Sequence, residues 1–186
     1  MRKDAPLNAT RFVFLLTGAL TVAADIVTKY VIATQFQVHE VRQVIGDYVR
    51  LTYIHNPGAA FGLFPGSRYA LIAISLVAVI VVVVVAWSHR RRAAAVIPLG
   101  LILGGAVGNL IDRVRMGEVV DFVQIGIPPS MYWPVFNLAD SAVTIGVAWL
   151  AVGLVLSGRQ AAPEAVAPHE SEGEDVPGVA PSGDRI

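Results

Sequence analysis

Two aspartates in the second half of the chain carry the most chemistry. Asp121 lies in the apolar stretch Glu118-Val119-Val120-Asp121-Phe122-Val123, and Asp140 lies in Phe136-Asn137-Leu138-Ala139-Asp140-Ser141. Two carboxyl groups held close together do not easily both ionise, so they share a proton. One is then a general base toward water and the other a general acid toward a scissile carbonyl. That is the chemistry of aspartic proteases, although the chain lacks the Asp-Thr-Gly or Asp-Ser-Gly triplet of the soluble enzymes. Taken alone, Asp140 reads as an ordinary acid in the first turn of a helix that Asn137 caps, where the helix dipole favours a carboxylate. A second aspartate near the same boundary tips the reading toward function.

Two further polar groups stand among apolar residues. Asp25 and Lys29 are four apart with the acid first, the favourable order for a helical ion pair. Asn109, Asp112 and Arg113 follow Gly100, Gly104 and Gly108, a small-residue ridge that lets helices approach closely. The plain reading is a packing ridge capped by a salt bridge. Arg113 is better explained by a carboxylate it must hold. Ionisable groups in or beside a membrane span cost several kcal/mol unless paired or wet, so all of these are functional candidates.

Competing chemistries find little support. Cysteine is absent, which removes thiolate metal sites and cysteine nucleophiles. The histidines, at 39, 55, 89 and 169, are scattered. Asp112, Glu118, Asp121 and His55 lack the spacing of metal ligands, and no phosphate-binding Gly-Lys-Ser/Thr loop is present. Arg90, Arg91 and Arg92 read as a topology signal, not a nucleic-acid patch.

The elements that must position these residues are set by composition. Of 186 residues, 55% are hydrophobic and only 15% charged, against about 25% charged in an ordinary soluble domain. A bilayer core of about 30 Å needs roughly 20 apolar residues as a helix. Uncharged runs mark spans at about 12–30, 69–88, 93–113 and 140–158, the first interrupted by Asp25 and Lys29. The expected fold is an all-α membrane protein with four transmembrane helices and a small β-structured extracytoplasmic cap. Residues 1–159 form the membrane domain, and 160–186 form a disordered cytoplasmic tail rich in Ala, Pro, Glu and Gly. An alternative for the first span is a cleavable secretory signal with its site near Val22-Ala23-Ala24.

The tail holds six of the fourteen acids and one of the fourteen bases, leaving the rest with thirteen bases against eight acids. Arg2, Lys3 and Arg11, then His89 to Arg92, then Arg159 flank the spans on one side, which the basic-inside rule places in the cytoplasm. Residues 33–67 alternate apolar and polar in places, with a turn at Gly46-Asp47 between two short strands. Residues 116–138, with Tyr132, Trp133 and three prolines, read mainly as an interfacial loop.

At these residues the chain resembles the lipoprotein signal peptidases, the bacterial signal peptidase II family. The resemblance covers about residues 12–156 and rests on five blocks in order. They are Asp25-Ile-Val-Thr-Lys29-Tyr30, Asn56-Pro-Gly-Ala-Ala-Phe-Gly62, Gly104-Gly-Ala-Val-Gly-Asn109-Leu-Ile-Asp112-Arg113, Val120-Asp121-Phe122 and Phe136-Asn137-Leu-Ala-Asp140-Ser141. It implies a membrane aspartyl endopeptidase that removes the signal peptide from diacylglyceryl-modified prolipoproteins at the lipobox cysteine. Asp121 and Asp140 match the catalytic pair. Asn56, Asn109, Arg113 and Asn137 match positions that shape the site and hold the substrate backbone. Asp25 and Lys29, with Asp112, match supporting positions. The resemblance implies the bacterial inner membrane, a site on its outer face, inhibition by globomycin, and no metal or organic cofactor. Two rival readings remain: a carrier using Asp25, Lys29 and Asp112 as a polar pathway, and a structural subunit that binds partners through the glycine ridge.

Overall fold

The computed structural model describes residues 7–58, 68–88 and 93–160. Arg2 and Lys3, the end of the Asn56–Gly62 block, the 89–92 turn and the tail lie outside the described residues.

Four helices carry the spans: α1 (Leu7–Gln35), α2 (Arg68–Ser88), α3 (Val96–Arg115, after a 3-10 turn over Ala93–Ala95) and α4 (Leu138–Gln160). Each is long and apolar enough to cross a membrane. α1 runs past both ends of the expected 12–30 span. Asp25 and Lys29 do not break it because both are buried and paired inside the bundle.

The helices alternate in direction. At one end Phe14 of α1 meets Trp87 of α2 edge to face. At the other, Arg68 at the start of α2 donates from Nη2 to the Val114 carbonyl near the end of α3 at 2.6 Å. α3 is central, packing against α1, α2 and α4. Its glycines allow this. A Cβ on Gly100 would stand 2.7 Å from Thr17 Cβ of α1, and one on Gly105 would collide with the Ala139 carbonyl of α4. The ridge is therefore spent on the chain's own α1, which removes it as a surface for a separate partner.

α2 shows the opposite face of the same physics. Its run of valines is mostly exposed, including Val81 and Val84. Such a surface suits lipid, where apolar side chains meet no water.

Four strands form one antiparallel sheet in the order β1-β2-β3-β4 over one end of the bundle: β1 (Val41–Ile45), β2 (Val49–Asn56), β3 (Val119–Ile127) and β4 (Met131–Tyr132). The β1–β2 turn falls where Gly46-Asp47 places it, with Gly46 at φ 49. The segment after α3 is more than an interfacial loop. β3 pairs with β2 along most of its length, Ile54 opposite Asp121 and Asn56 opposite Val119. α3 ends as Gly117, at φ 82, turns the chain into this strand.

Candidate active site

The cap end of the bundle collects every polar residue singled out above. Asp25 and Lys29 arrive on α1, Asn109, Asp112 and Arg113 on α3, Asn56 on β2, Asp121 on β3, and Asn137 and Asp140 at the start of α4. All lie at one end of the helices, not along them, which is unlike a polar pathway through a bilayer.

Asn137 is the hinge of the arrangement. The Phe136 carbonyl accepts from the Phe122 and Val123 N–H groups at 3.0 and 2.8 Å, fastening this residue's neighbour to β3. Asn137 itself is fully buried. Its Oδ1 accepts from the Asp140 N–H at 2.9 Å, the expected N-cap bond. Asp140 Oδ2 returns the favour by accepting from the Asn137 N–H at 3.2 Å, the reciprocal pattern of a capping box. Since Oδ1 faces a donor, Nδ2 points the other way, to Asp121 Oδ1 at 2.8 Å. One side chain thus sets the positions of both carboxyl groups.

The other carboxylate oxygens are held in the same manner. Asn56 Nδ2 donates to Asp121 Oδ2 at 2.8 Å, its orientation fixed by the Gly58 N–H on its Oδ1. Asn109 Nδ2 donates to Asp140 Oδ1 at 2.8 Å. Every oxygen of the two aspartates therefore accepts from an amide. Asp121 is only 2% exposed. That burial pushes its carboxyl up to about 6, and the negative charge of Asp140 adds to the rise. The amide donors of Asn56 and Asn137 and the charge of Lys29 oppose it.

Beneath the pair lies a buried ion cluster. Lys29 Nζ is 2.7 Å from Asp25 Oδ2, 2.7 Å from Asp112 Oδ2 and 3.2 Å from Asn109 Oδ1. A buried ammonium is tolerated only when its protons are all engaged, and here three acceptors meet three protons. Asp25 Oδ1 also accepts from the Ala139 N–H at 3.0 Å, satisfying a second N-terminal donor of α4. Asp112 Oδ2 accepts from the Val120 N–H at 3.4 Å, one residue before Asp121.

This corrects one expectation. Asp112 pairs with Lys29, not with its neighbour Arg113, and Arg113 holds no carboxylate among the described residues. Adjacent residues on a helix point about 100° apart and do not face each other. Arg113 Nη1 reaches Ser75 Oγ at 3.3 Å and the Asn109 carbonyl at 3.5 Å, and its buried Nε has no partner among the described residues.

Both aspartates open onto a cavity of about 940 Å³. Asn56, Asn109 and Arg113 line it with them. Trp133 to Phe136 form one wall, and Ser141, Thr144 and Ile145 continue it along α4. Phe136 and Ser141 belong to the block around Asp140; the other wall residues gave no sign in the sequence beyond the aromatic and proline content of the 116–138 segment. His55 also lines the cavity, with its Nδ1 3.3 Å from Glu118 Oε2, yet no group of three or more His, Cys, Asp or Glu among the described residues could hold a metal ion.

Comparison with known proteins supplies the family. The family model described as Signal peptidase (SPase) II matches residues 17–156. The chain is 46% identical to the lipoprotein signal peptidase of Moorella thermoacetica over 144 residues, covering 77% of this chain and 93% of that one. It is 40% identical to the lipoprotein signal peptidase of Syntrophus aciditrophicus over 148 residues, covering 76% and 91%. A solved structure described as a bacterial membrane enzyme determined by the in meso method superposes with a TM-score of 0.76 at 31% identity, over 90% of this chain and 99% of that one. A second such structure gives 0.71 at 33% identity, over 83% and 97%. With its four spans, its sheet and its match over most of both partners' lengths, the chain belongs to the signal peptidase II family of membrane proteases.

Proposed function

We propose that the chain is a membrane aspartyl endopeptidase that cleaves diacylglyceryl-modified prolipoproteins at the lipobox cysteine, with Asp121 and Asp140 as its catalytic residues. The observation that carries this reading is that both carboxyl groups line one cavity and are tied together through Asn137. One carboxylate takes a proton from water as the oxygen attacks the scissile carbonyl. The other, protonated, gives its proton to the carbonyl oxygen. The tetrahedral adduct then collapses, the C–N bond breaks, and the departing nitrogen takes up a proton.

Arg113 and Asn56, on the cavity wall, hold the substrate backbone. Asn109 and Asn137 shape the site: their amides, like that of Asn56, are engaged within the chain, and Asn137 is wholly buried. Asp25, Lys29 and Asp112 support the start of α4 and of β3. The substrate is anchored by its acyl chains in the same membrane, so a cavity beside the bundle's end lets those chains stay among membrane lipids while water reaches the aspartates. The basic flanks favour both chain ends in the cytoplasm of a bacterial inner membrane, with the cap and the site facing outward. Globomycin would compete for the same cavity.

The test uses purified full-length protein with a diacylglyceryl-modified prolipoprotein and its unmodified counterpart, with and without globomycin. Cleavage of the modified form alone, blocked by globomycin, is expected. Equal cleavage of the unmodified form would overturn the substrate assignment.

A further inference from the structure

Lys29 is a buried charge that the hydrolytic steps do not use. Two of its three contacts are to the carboxylates of Asp25 and Asp112, which neutralise it. The third is of a different kind. Asn109 Oδ1 accepts from the ammonium at 3.2 Å. An ammonium has no acceptor, so the amide is fixed with Nδ2 on the far side, where it donates to Asp140 Oδ1 at 2.8 Å. A cation on the carbonyl side of an amide polarises it and strengthens its N–H as a donor. With two carboxylates against one ammonium, the cluster carries no excess positive charge. Its influence on Asp140 is a directed hydrogen bond, not a diffuse field.

Asp140 has other support for a negative charge. It accepts from the Asn137 N–H and stands in the first turn of α4, where the helix end favours an anion. Asp121 also accepts two hydrogen bonds and feels the charge of Lys29, but it is more deeply buried than Asp140 and stands at no helix end. Its donors are the neutral amides of Asn56 and Asn137. The two N–H groups of Asn137 are divided among Asp121 Oδ1, Asn109 Oδ1 at 3.0 Å and the Val120 carbonyl at 3.2 Å. The charged and titratable groups around the pair are Asp25 and Lys29 from α1, Asp112 and Arg113 from α3, His55 from β2 and Glu118 before β3.

We propose that Lys29 is a positioning residue: acting through Asn109, it holds the negative charge of the pair on Asp140 and leaves the shared proton on Asp121. This rests on the aspartyl reading and assigns its two roles. Asp140 takes a proton from water as the new C–O bond forms. Asp121 gives its proton to the carbonyl oxygen. On collapse the C–N bond breaks, Asp140 passes its proton to the leaving nitrogen, and a hydroxyl of the adduct returns a proton to Asp121. The starting state is restored. Burial of Asp121, with its carboxyl pushed up to about 6, acts in the same direction.

The test is infrared spectroscopy of the protonated-carboxyl C=O stretch, on full-length protein in an ester-free detergent, at about pH 5. Asp121→Asn is expected to remove a band that Asp140→Asn leaves in place. Lys29→Met strands two buried carboxylates and risks unfolding, so Asn109→Leu is the second variant. It leaves the Lys29 ion pairs intact and cuts the relay, along with the contact of Asn137 Nδ2 to Asn109 Oδ1, while Asn137 keeps its bonds to Asp121 and the Val120 carbonyl. In that background Asp121→Asn is expected to regain a carboxyl band from Asp140. A merely structural role for Lys29 and Asn109 would not move the proton. Loss of the band in Asp140→Asn instead, or no effect of Asn109→Leu, overturns the inference. The aspartyl reading fails separately, if either aspartate variant cleaves prolipoprotein at the native rate.

Discussion

Replacing Asn137 by serine separates its two duties. Serine is as good an N-cap as asparagine, so its hydroxyl still accepts from the Asp140 N–H. What is lost is Nδ2, with its bond to Asp121 at 2.8 Å and its weaker contacts to Asn109 Oδ1 and the Val120 carbonyl. Asp121 becomes charged as it gives up its proton, and a hydrogen bond to a charged group contributes about 1.5–3 kcal/mol. If that stabilisation is carried into the transition state, kcat falls about 10- to 150-fold. Asn137 is wholly buried, so substrate affinity is expected to hold, with KM changing less than about twofold. The assay is steady-state cleavage of a lipidated prolipoprotein by Asn137→Ser, after gel filtration shows a folded, monodisperse protein. A raised KM with unchanged kcat would refute the positioning role, because it would mean that the amide binds substrate directly.

Other outcomes follow from the same geometry. In Gly108→Ala the new Cβ would stand 2.5 Å from Asp25 Oδ2; forcing that oxygen back is expected to cost about 1–3 kcal/mol of stability, and an unchanged thermal midpoint would contradict it. The Asp121 carboxyl, raised to about 6, keeps its proton below that pH and loses it above. A kcat/KM that needs this proton therefore falls as pH rises past the midpoint, and a flat profile on the alkaline side would count against it. Ile145→Trp fills the cavity from an exposed position of α4; cleavage should fall while thermal stability holds, and undiminished cleavage would show that substrate bypasses this wall.

Much of the fold is legible locally. Uncharged runs long enough for a bilayer mark the helices, and Gly46-Asp47 marks the β1–β2 turn. The glycines at 100, 104 and 108 announce a close helix contact, and α1 makes it. What is not legible is pairing at a distance. β3 meets β2 across some seventy positions of sequence, as in Asn56 with Asp121, and nothing within residues 116–138 reveals that partner. The Asp112–Arg113 adjacency misleads for the same reason, since the true partner of Asp112 is on another helix. Asn109 and Asn137 read as polar residues near a site, but a buried amide's role depends on which groups the fold puts on its two sides.

The central claim is that Asp121 and Asp140 perform the hydrolysis together. Its most direct test is cleavage of a diacylglyceryl-modified prolipoprotein by Asp121→Asn and by Asp140→Asn, each inserted in membranes at wild-type level. The account predicts that both variants are inactive. Near-native cleavage by either one would contradict it.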